Sequence, residues 1–205
     1  MSTTTVRKVR NPEQTREDLL QAAYAEILES GFQAASLDRI LAKTSVSKGA
    51  LYHHFGTKQD LGLAVVEDVI GPQLAERWFT PLQQAKNPLD GLIQLLDEKI
   101  AAADERVIRY GCPLNNLMQE MSPLDENFRQ GLQRILDRWI ATIAEALRKG
   151  QASNLVRADI LPTEAALFII AAVEGCVGLG KNAQSLSSYQ NCLRQLQSYI
   201  RSLAP

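Results

Sequence analysis

The sequence predicts an all-α protein of about nine helices. Helix-start signals recur along its 205 residues, and several consist of a polar residue followed by proline at the first helical position. The apolar residues behind these signals are spaced three or four apart, as on one face of a helix, and no convincing strand pattern is present. A hydrophobic content of 45% and a charged content of 22% are ordinary for a globular protein.

Four helices are predicted in the first third of the chain. The last of them is long, and we expect proline to break or kink it at Gly71–Pro72. The four helices run from Asn11 to Gly31, from Ser36, as N-cap, to Thr44, from Ser47 to Phe55, and from Thr57 to Gly71.

Five more helices complete the prediction. They run from Asn87 to about Asp104, from Cys112 to Met121, from Ser122 to about Gly150, from Leu161 to about Asn182 and from about Ser187 to Leu203. We expect three segments, with a boundary inside the fourth helix: a flexible basic arm at residues 1–10, a first helical domain at 11–62, and a larger helical domain at 63–205.

Charge is distributed unevenly between the two ends of the chain. Residues 1–58 carry a net charge of +2, and residues 59–205 carry −3. A mildly basic head on an acidic body suits a head that meets phosphate.

The third helix has the composition of a helix that lies in the major groove of DNA. Its first residues are small, which allows the backbone to approach closely, although Gly49 costs about 1 kcal/mol of helix stability relative to alanine. Leu51 and Phe55 are predicted to face inward, while Lys48, Tyr52 and His53 face outward toward bases or phosphates. The candidate DNA-binding residues are Ser36, Thr44, Ser47, Lys48, Gly49, Ala50, Tyr52, His53 and Lys58.

The paired histidines and the N-terminal cations of this region also have interpretations without a specific binding role. His53 and His54 are adjacent on a helix and point in different directions, so no metal site is expected, and no cofactor. Arg7, Lys8 and Arg10 form either an arm that contacts DNA or a solvated tail.

Residues from about Thr15 to Ala64 resemble the DNA-binding domain of the TetR family of transcriptional repressors. The resemblance is carried by LLQAAYAEILESGFQAASLDRILAKTSVSKGALYHHFGTKQDL, and above all by VSKGALYHHFGTKQDL. It implies a homodimeric repressor that binds a palindromic operator and is released by an effector in a C-terminal helical domain. The family commonly has Ala-Gly before the turn valine, where this chain has Thr44–Ser45, and glycine there relieves a left-handed backbone position.

The last two helices are rich in small residues, which let helices pack closely. The resemblance implies that they pair with their copies in a second subunit, and the alternative is that they form an internal core. Glu174 lies within this apolar stretch and requires a partner if it is buried. The small residues are Ala171, Ala172, Gly175, Cys176, Gly178 and Gly180.

Cys112 is predicted to be the N-cap of a helix, next to Arg109. Both features lower the pKa of a thiol. The segment GCPLNNLMQEMS also resembles the subgroup of the family that includes the N-ethylmaleimide reductase repressor, which senses electrophiles, and in that comparison Lys181 falls where the subgroup has lysine. Cys112 is therefore either a sensor or a structural cap. The effector candidates are Cys112, Tyr110, Met118, Trp139, Phe168, Glu174 and Lys181.

Alternatives from other classes are a cytosolic thiol or redox protein that uses Cys112, and a helical adaptor that binds only protein. The chain is not expected to be an enzyme, because no resolving cysteine lies close to Cys112. We expect a cytoplasmic protein without a secretory signal or membrane span, the longest apolar run being the nine residues Ala165–Val173, and with three free thiols.

Overall fold

The computed structural model describes residues 11–205, and these residues form helices and loops without strands. They divide into two compact units, one ending at Val65 and the other comprising Val66–Pro205. The all-α prediction is confirmed. The predicted basic arm, with Arg7, Lys8 and Arg10, lies outside the described residues.

The first unit contains four helices around a small apolar core. Asn11 caps the first of them through its side-chain oxygen, 3.0 Å from the Glu13 backbone nitrogen, and Gly31 ends it with φ 79°. The helices are α1 (Pro12–Ser30), α2 (Leu37–Ala42), α3 (Lys48–His54) and α4 (Lys58–Val65). The core side chains include Leu19, Leu20, Ala23, Ile40, Leu51, Phe55, Leu61 and Val65.

The helix starts in this unit use different caps. Thr57 and Asp60 form a reciprocal capping box at α4, in which each side chain accepts a hydrogen bond from the other residue's backbone N–H. Ser36 occupies the N-cap of α2, but its side chain makes no capping hydrogen bond in the described structure. The prediction that Ser36 is the N-cap residue of this helix is therefore confirmed, although its hydroxyl does not take part in the cap.

The second unit contains the remaining helices. Its core is built from side chains of all the long helices, with Phe128, Trp139, Tyr189 and many leucines almost fully buried. The helices are α5 (Gly71–Leu74), α6 (Thr80–Gln84), α7 (Pro88–Ala101), α8 (Glu105–Tyr110), α9 (Pro113–Met121), α10 (Glu126–Ala152), α11 (Pro162–Ala183) and α12 (Leu186–Arg201).

Proline does not break the helical path at Gly71–Pro72, so of the two predicted outcomes, a break or a kink, the break does not occur. Two π-helical segments, Val66–Ile70 and Ala75–Phe79, occur here, and Pro72 and Pro81 each lie two residues after one of them. A proline has no N–H to donate, and its ring collides with the carbonyl four residues earlier in a regular helix. The wider π turn accommodates that collision, so the chain stays helical.

The helix boundaries after residue 84 follow the predicted caps closely, with one omission. Asp104, which the sequence places at the end of a helix, instead caps a separate short helix, α8, by accepting hydrogen bonds from Arg106 and Val107. Asp125 likewise caps α10.

Cys176 and Cys192 form a disulfide that joins α11 to α12. The expectation of three free thiols is therefore wrong, and in the described chain only Cys112 is free. Residues 16 apart on two successive helices give no sequence signal for pairing, because their distance depends on how the helices pack.

The expectation that no apolar segment is long enough to span a bilayer is also wrong as to length. Among the described helices, α11 is long and apolar enough to cross a membrane by length and composition, and 44% of its most apolar stretch is buried inside the protein. Its buried residues, such as Ile169 and Val173, face the core, as those of a core helix do.

Candidate nucleic-acid interface and thiol site

Helix α3 presents one apolar face to the core and one polar face to solvent. Leu51 and Phe55 are buried as predicted, whereas Tyr52 is 48% exposed and Lys48 and His53 are exposed beside it. Ser47 fixes the start of the helix by accepting a hydrogen bond from the Ala50 backbone nitrogen at 3.2 Å. The outward face therefore carries a cation, a phenol and an imidazole.

Gly49 lies at the exposed start of α3 without any packing neighbour. A Cβ atom placed on it would meet no atom within 4 Å, and its φ is not in the left-handed region. Neither backbone conformation nor packing inside this chain therefore requires glycine at this position.

The turn between α2 and α3 is closed by the side chain of Thr44. Its hydroxyl donates to the Leu41 carbonyl oxygen at 3.1 Å and accepts from the Val46 backbone nitrogen at 3.2 Å. Neither Thr44 nor Ser45 has positive φ. The left-handed position expected here is absent, because the threonine hydroxyl makes a turn that needs no glycine.

A buried carboxylate ties α1 to α2. Glu26 is 2% exposed, and its oxygens lie 2.5 Å from Arg39 Nε and 3.1 Å from Lys43 Nζ. Burial alone would raise the pKa of Glu26, but the hydrogen bonds and charges of these two cations outweigh it and hold the pKa below its usual value. Arg39 also donates to the Ala34 carbonyl oxygen.

The two predicted phosphate-binding lysines differ in how they are held. Lys48 lies 3.7 Å from Asp38, and both side chains are largely exposed, so this pair contributes little and can be exchanged for another anion. Lys58 donates to the Gln33 carbonyl oxygen at 3.0 Å and lies over the Phe32 ring, which fixes its position at the start of α4.

In the second unit, Cys112 is the N-cap residue of α9, as predicted, but its thiol is not activated. Burial raises the pKa of Cys112 to about 12, and the negative charge of Glu174 adds to this. Arg109 is exposed and stacks on the Tyr110 ring instead of approaching the sulfur. The predicted lowering of the thiol pKa is therefore wrong, since desolvation outweighs the helix terminus.

Lys181 lies beside the same loop. Its side chain packs against Gly111, where an added Cβ would lie 3.1 Å from the lysine Cδ. Gly111 also has φ 75°, a conformation that favours glycine. Lys181 Nζ donates to Asn116 Oδ1 at 3.3 Å, and Asn116 in turn donates to the Tyr110 carbonyl oxygen at 2.6 Å. The lysine therefore supports the loop that carries Cys112.

The predicted effector residues do not all converge. Trp139 is buried against Trp78, with ring centroids 5.0 Å apart, whereas Phe168 is 53% exposed on α11. Met118 is half-buried on α9. A cavity of about 410 Å³ lies elsewhere in this unit, where Pro88 at the start of α7 meets the end of α10, and none of the predicted effector residues line it.

Comparison with known proteins matches each of the two parts of the chain to a known family. Residues 19–65 match the family described as bacterial regulatory proteins, tetR family. Residues 88–196, more than half of the chain, match the tetracyclin repressor-like C-terminal domain. The chain belongs to the TetR family. It is a DNA-binding transcriptional regulator of that family, in which dimerisation and effector-driven release are typical.

Individual relatives are similar over most of their length. An uncharacterised helix-turn-helix transcriptional regulator in the lacX 3' region of Lactococcus lactis is 32% identical over 88% of this chain and 90% of its own. A TetR regulator from Chloroflexus aurantiacus has a TM-score of 0.82 and 28% identity over 93% and 96% of the two chains. The reduced form of NemR from Escherichia coli has a TM-score of 0.81 and 25% identity over 90% and 96%.

Sequence reasoning missed two residues in this TetR-family chain. They are Glu26, whose cationic partners lie on another helix, and Asn116, which links Lys181 to the Tyr110 carbonyl oxygen. A glutamate on the apolar side of α1, in register with Ala22 and Ala23, could have marked the buried carboxylate.

Proposed function

We propose that this TetR-family regulator is a homodimeric, cytoplasmic repressor that binds a palindromic operator through α3. The observation that carries the proposal is the exposed face of α3, where Lys48, Tyr52 and His53 surround a glycine that nothing in the chain requires. A helix docked in the major groove needs this combination of small residues at its start and donors beside them.

The residues around α3 divide by role in this proposal. Lys48 and Tyr52 reach base edges or phosphates, and Ser47, Gly49 and Ala50 allow the backbone to come close. Ser36 at the start of α2 and Lys58 at the start of α4, whose ammonium group donates to the Gln33 carbonyl oxygen, are the proposed phosphate contacts.

The proposed dimer face is the outward side of α11 with α12. Leu167, Phe168 and Leu179 are 52%, 53% and 67% exposed. Gly175 and Gly178 lie on the same side of α11 with no neighbour within 4 Å of a Cβ. Small and large apolar residues exposed along one helix face are what a helix of a second copy would cover.

The second unit receives the effector, which we propose to be a small molecule or an electrophile that reacts at Cys112. The thiol is the free cysteine of the described chain, and the loop that carries it is supported by Lys181 and Asn116. In this proposal the protein acts by binding DNA and not by catalytic turnover.

The operator proposal is tested by selection of binding sites from a pool of randomised duplexes, using the full-length protein. The selected sites are expected to be palindromes whose half-sites lie about one helical turn apart or slightly more. Lys48→Ala and Tyr52→Ala should each weaken binding to the selected duplex by roughly 10-fold or more, with circular dichroism unchanged, while Lys86→Ala on the second unit leaves affinity intact.

Binding should also weaken steeply as salt rises, because each phosphate contact releases counterions. Selected sites without two-fold symmetry would contradict the dimeric proposal. Unchanged affinity in both α3 variants would remove α3 from the interface.

A further inference from the structure

The described part of the first unit is acidic, although it carries the proposed DNA-binding helix. Residues 11–65 contain five lysines and arginines against seven aspartates and glutamates, a net charge of −2. The excess of positive charge in residues 1–58 therefore comes from residues 1–10, which carry +3. Because sequence-independent affinity for DNA comes from neutralised phosphates, residues 11–65 attract DNA weakly by charge and have to select it through directed contacts.

Each cation of residues 11–65 already contacts another group of the chain. The contacts are Arg16 over the Phe55 ring, Arg39 with Glu26, Lys43 with Glu26 and Glu29, Lys48 with Asp38, and Lys58 with the Gln33 carbonyl oxygen. The pair of Lys48 and Asp38 is the most exposed of these ion pairs, with side chains 62% and 82% exposed. Both groups therefore remain accessible to a ligand at the surface of this unit.

Asp38 offsets the charge of Lys48 without occupying its hydrogen-bond donors. Lys48 Nζ lies 3.7 Å from Asp38 Oδ1, which is within the range of an ion pair but longer than a hydrogen bond. A lysine ammonium group has three N–H donors, so they stay available to other acceptors. Asp38 is in the first turn of α2 and Lys48 is the first residue of α3, and the pair therefore joins the two helices across the turn closed by Thr44.

Such a pair responds differently to a phosphate and to a base. A phosphate attracts lysine mainly through charge, which Asp38 already offsets, and Asp38 also repels a phosphate that comes near it. The O6 and N7 atoms of guanine are uncharged acceptors, which lysine reads through hydrogen bonds in the major groove. The carboxylate therefore penalises contact with phosphate more than contact with guanine.

We propose that Asp38 is a positioning residue that determines specificity, acting through Lys48 to favour a guanine edge over the phosphate backbone. Lys48 then reads a base instead of adding to the general attraction for DNA. The inference rests on the proposed binding of an operator by α3. It adds the base that Lys48 reads and the residue that suppresses binding to other sequences.

The first test compares full-length wild type with Asp38→Asn on two duplexes, the selected operator and a duplex of equal length and composition without half-sites. The variant frees one lysine per subunit for a phosphate. Affinity of the dimer for the non-cognate duplex should therefore rise about 10-fold, and the salt dependence should steepen by about one unit per subunit. The ratio of operator affinity to non-cognate affinity should fall accordingly.

Glu17→Gln is the matched control for the loss of a negative charge. Glu17 is exposed on α1, and its carboxylate accepts a hydrogen bond from Gln21, so the substitution removes the same charge without freeing a lysine. It should leave the ratio of the two affinities as in the wild type. If Asp38→Asn leaves that ratio unchanged as well, Asp38 acts only through the net charge of the unit, and the inference is overturned.

Lys48→Ala distinguishes contact with a base from contact with a phosphate. Site selection with this variant should still yield a palindrome, but each half-site should lose its preference for one G·C pair, while the salt slope on the operator stays that of the wild type. Uniform weakening on both duplexes, with a slope smaller by about one unit per subunit, would make Lys48 a phosphate contact and overturn the inference.

Melting curves accompany each variant, because an aspartate in the first turn of a helix also interacts favourably with the helix dipole. A purely structural role of Asp38 would lower the melting temperature and leave the affinity ratio and the salt slope unchanged. The result for Lys48→Ala does not depend on the stability of Asp38→Asn. Selection of no preferred site by the wild type contradicts the proposed function and this inference with it, whereas a selected operator with an unchanged ratio in Asp38→Asn contradicts this inference alone.

Discussion

At the scale of single residues, Glu26 shows how one buried charge positions the DNA-binding helices. It contacts Arg39 and Lys43, and Lys43 also pairs with Glu29 at 3.0 Å. The burial of an unpaired carboxylate would be costly, and these cations offset that cost. The network therefore holds α2 against α1 and, through the turn at Thr44, fixes where α3 begins.

We expect Glu26→Gln to lower the free energy of unfolding by about 1–3 kcal/mol at neutral pH. Because the folded pKa of Glu26 lies below its unfolded value, the stabilisation is fully present above about pH 4.3. It is lost as pH falls through the folded pKa. Thermal melts across this range should show the wild-type advantage shrinking at acid pH. A difference independent of pH would mean that the ionised carboxylate is not its source.

Gly49→Ala tests the physical reason for a glycine in α3. The substituted Cβ meets no atom of the chain, so alanine should raise helix stability, by about 1 kcal/mol at most. Operator affinity should fall, since the added methyl group keeps the backbone from the groove. Melting temperature and gel-shift affinity measured on one preparation should move in opposite directions. Unchanged affinity would contradict close approach of α3.

At the scale of helices, cap residues explain why most boundaries were predictable. Proline at the first turn marks α1, α7, α9 and α11 in the sequence and in the structure. Such signals are local, involving a residue and the backbone within one turn. The π-helical segments before Pro72 and Pro81 were not predictable, because whether proline breaks a helix or is absorbed by a wider turn depends on tertiary packing.

The disulfide between α11 and α12 should contribute measurably to stability. It joins residues 16 apart in sequence, and closing a loop of that length stabilises a protein by about 3 kcal/mol. Reduction by dithiothreitol should therefore lower the melting temperature of the wild type by roughly 6–12 °C, and Cys112→Ser should behave identically. A double Cys176→Ala/Cys192→Ala variant should be insensitive to reduction. Equal melting of oxidised and reduced wild type would argue against the bond.

At the scale of the whole molecule, the predictability of the two sites differs for a physical reason. The face of α3 is contiguous in sequence, so helical periodicity alone separates buried Leu51 from exposed Tyr52. The loop that carries Cys112 is instead supported by Lys181 of α11 and Asn116 of α9, and no spacing rule brings residues 65 apart together. The same long-range packing reversed the expected pKa shift of Cys112, because a helix terminus is visible in a sequence and burial is not.

The exposed apolar face of α11 leads to a prediction about assembly. Leu179→Glu places a carboxylate on the proposed dimer face, where burial without a partner is strongly unfavourable. We expect the dimer to weaken by about 10³-fold and operator affinity to fall with it, since a palindrome requires both copies of α3. Sedimentation equilibrium measures the first effect and gel shift the second.

Leu124→Glu is the matched control for that variant. Leu124 is 59% exposed, close to the 67% of Leu179, but it lies between α9 and α10. Its substitution should leave both assembly and operator binding unchanged. That result would show that the effect of Leu179→Glu comes from the position of the added charge and not from the charge alone. Were Leu179→Glu to remain dimeric while Leu124→Glu dissociated, the interface would involve α9 and α10, and the exposed glycines of α11 would need another explanation.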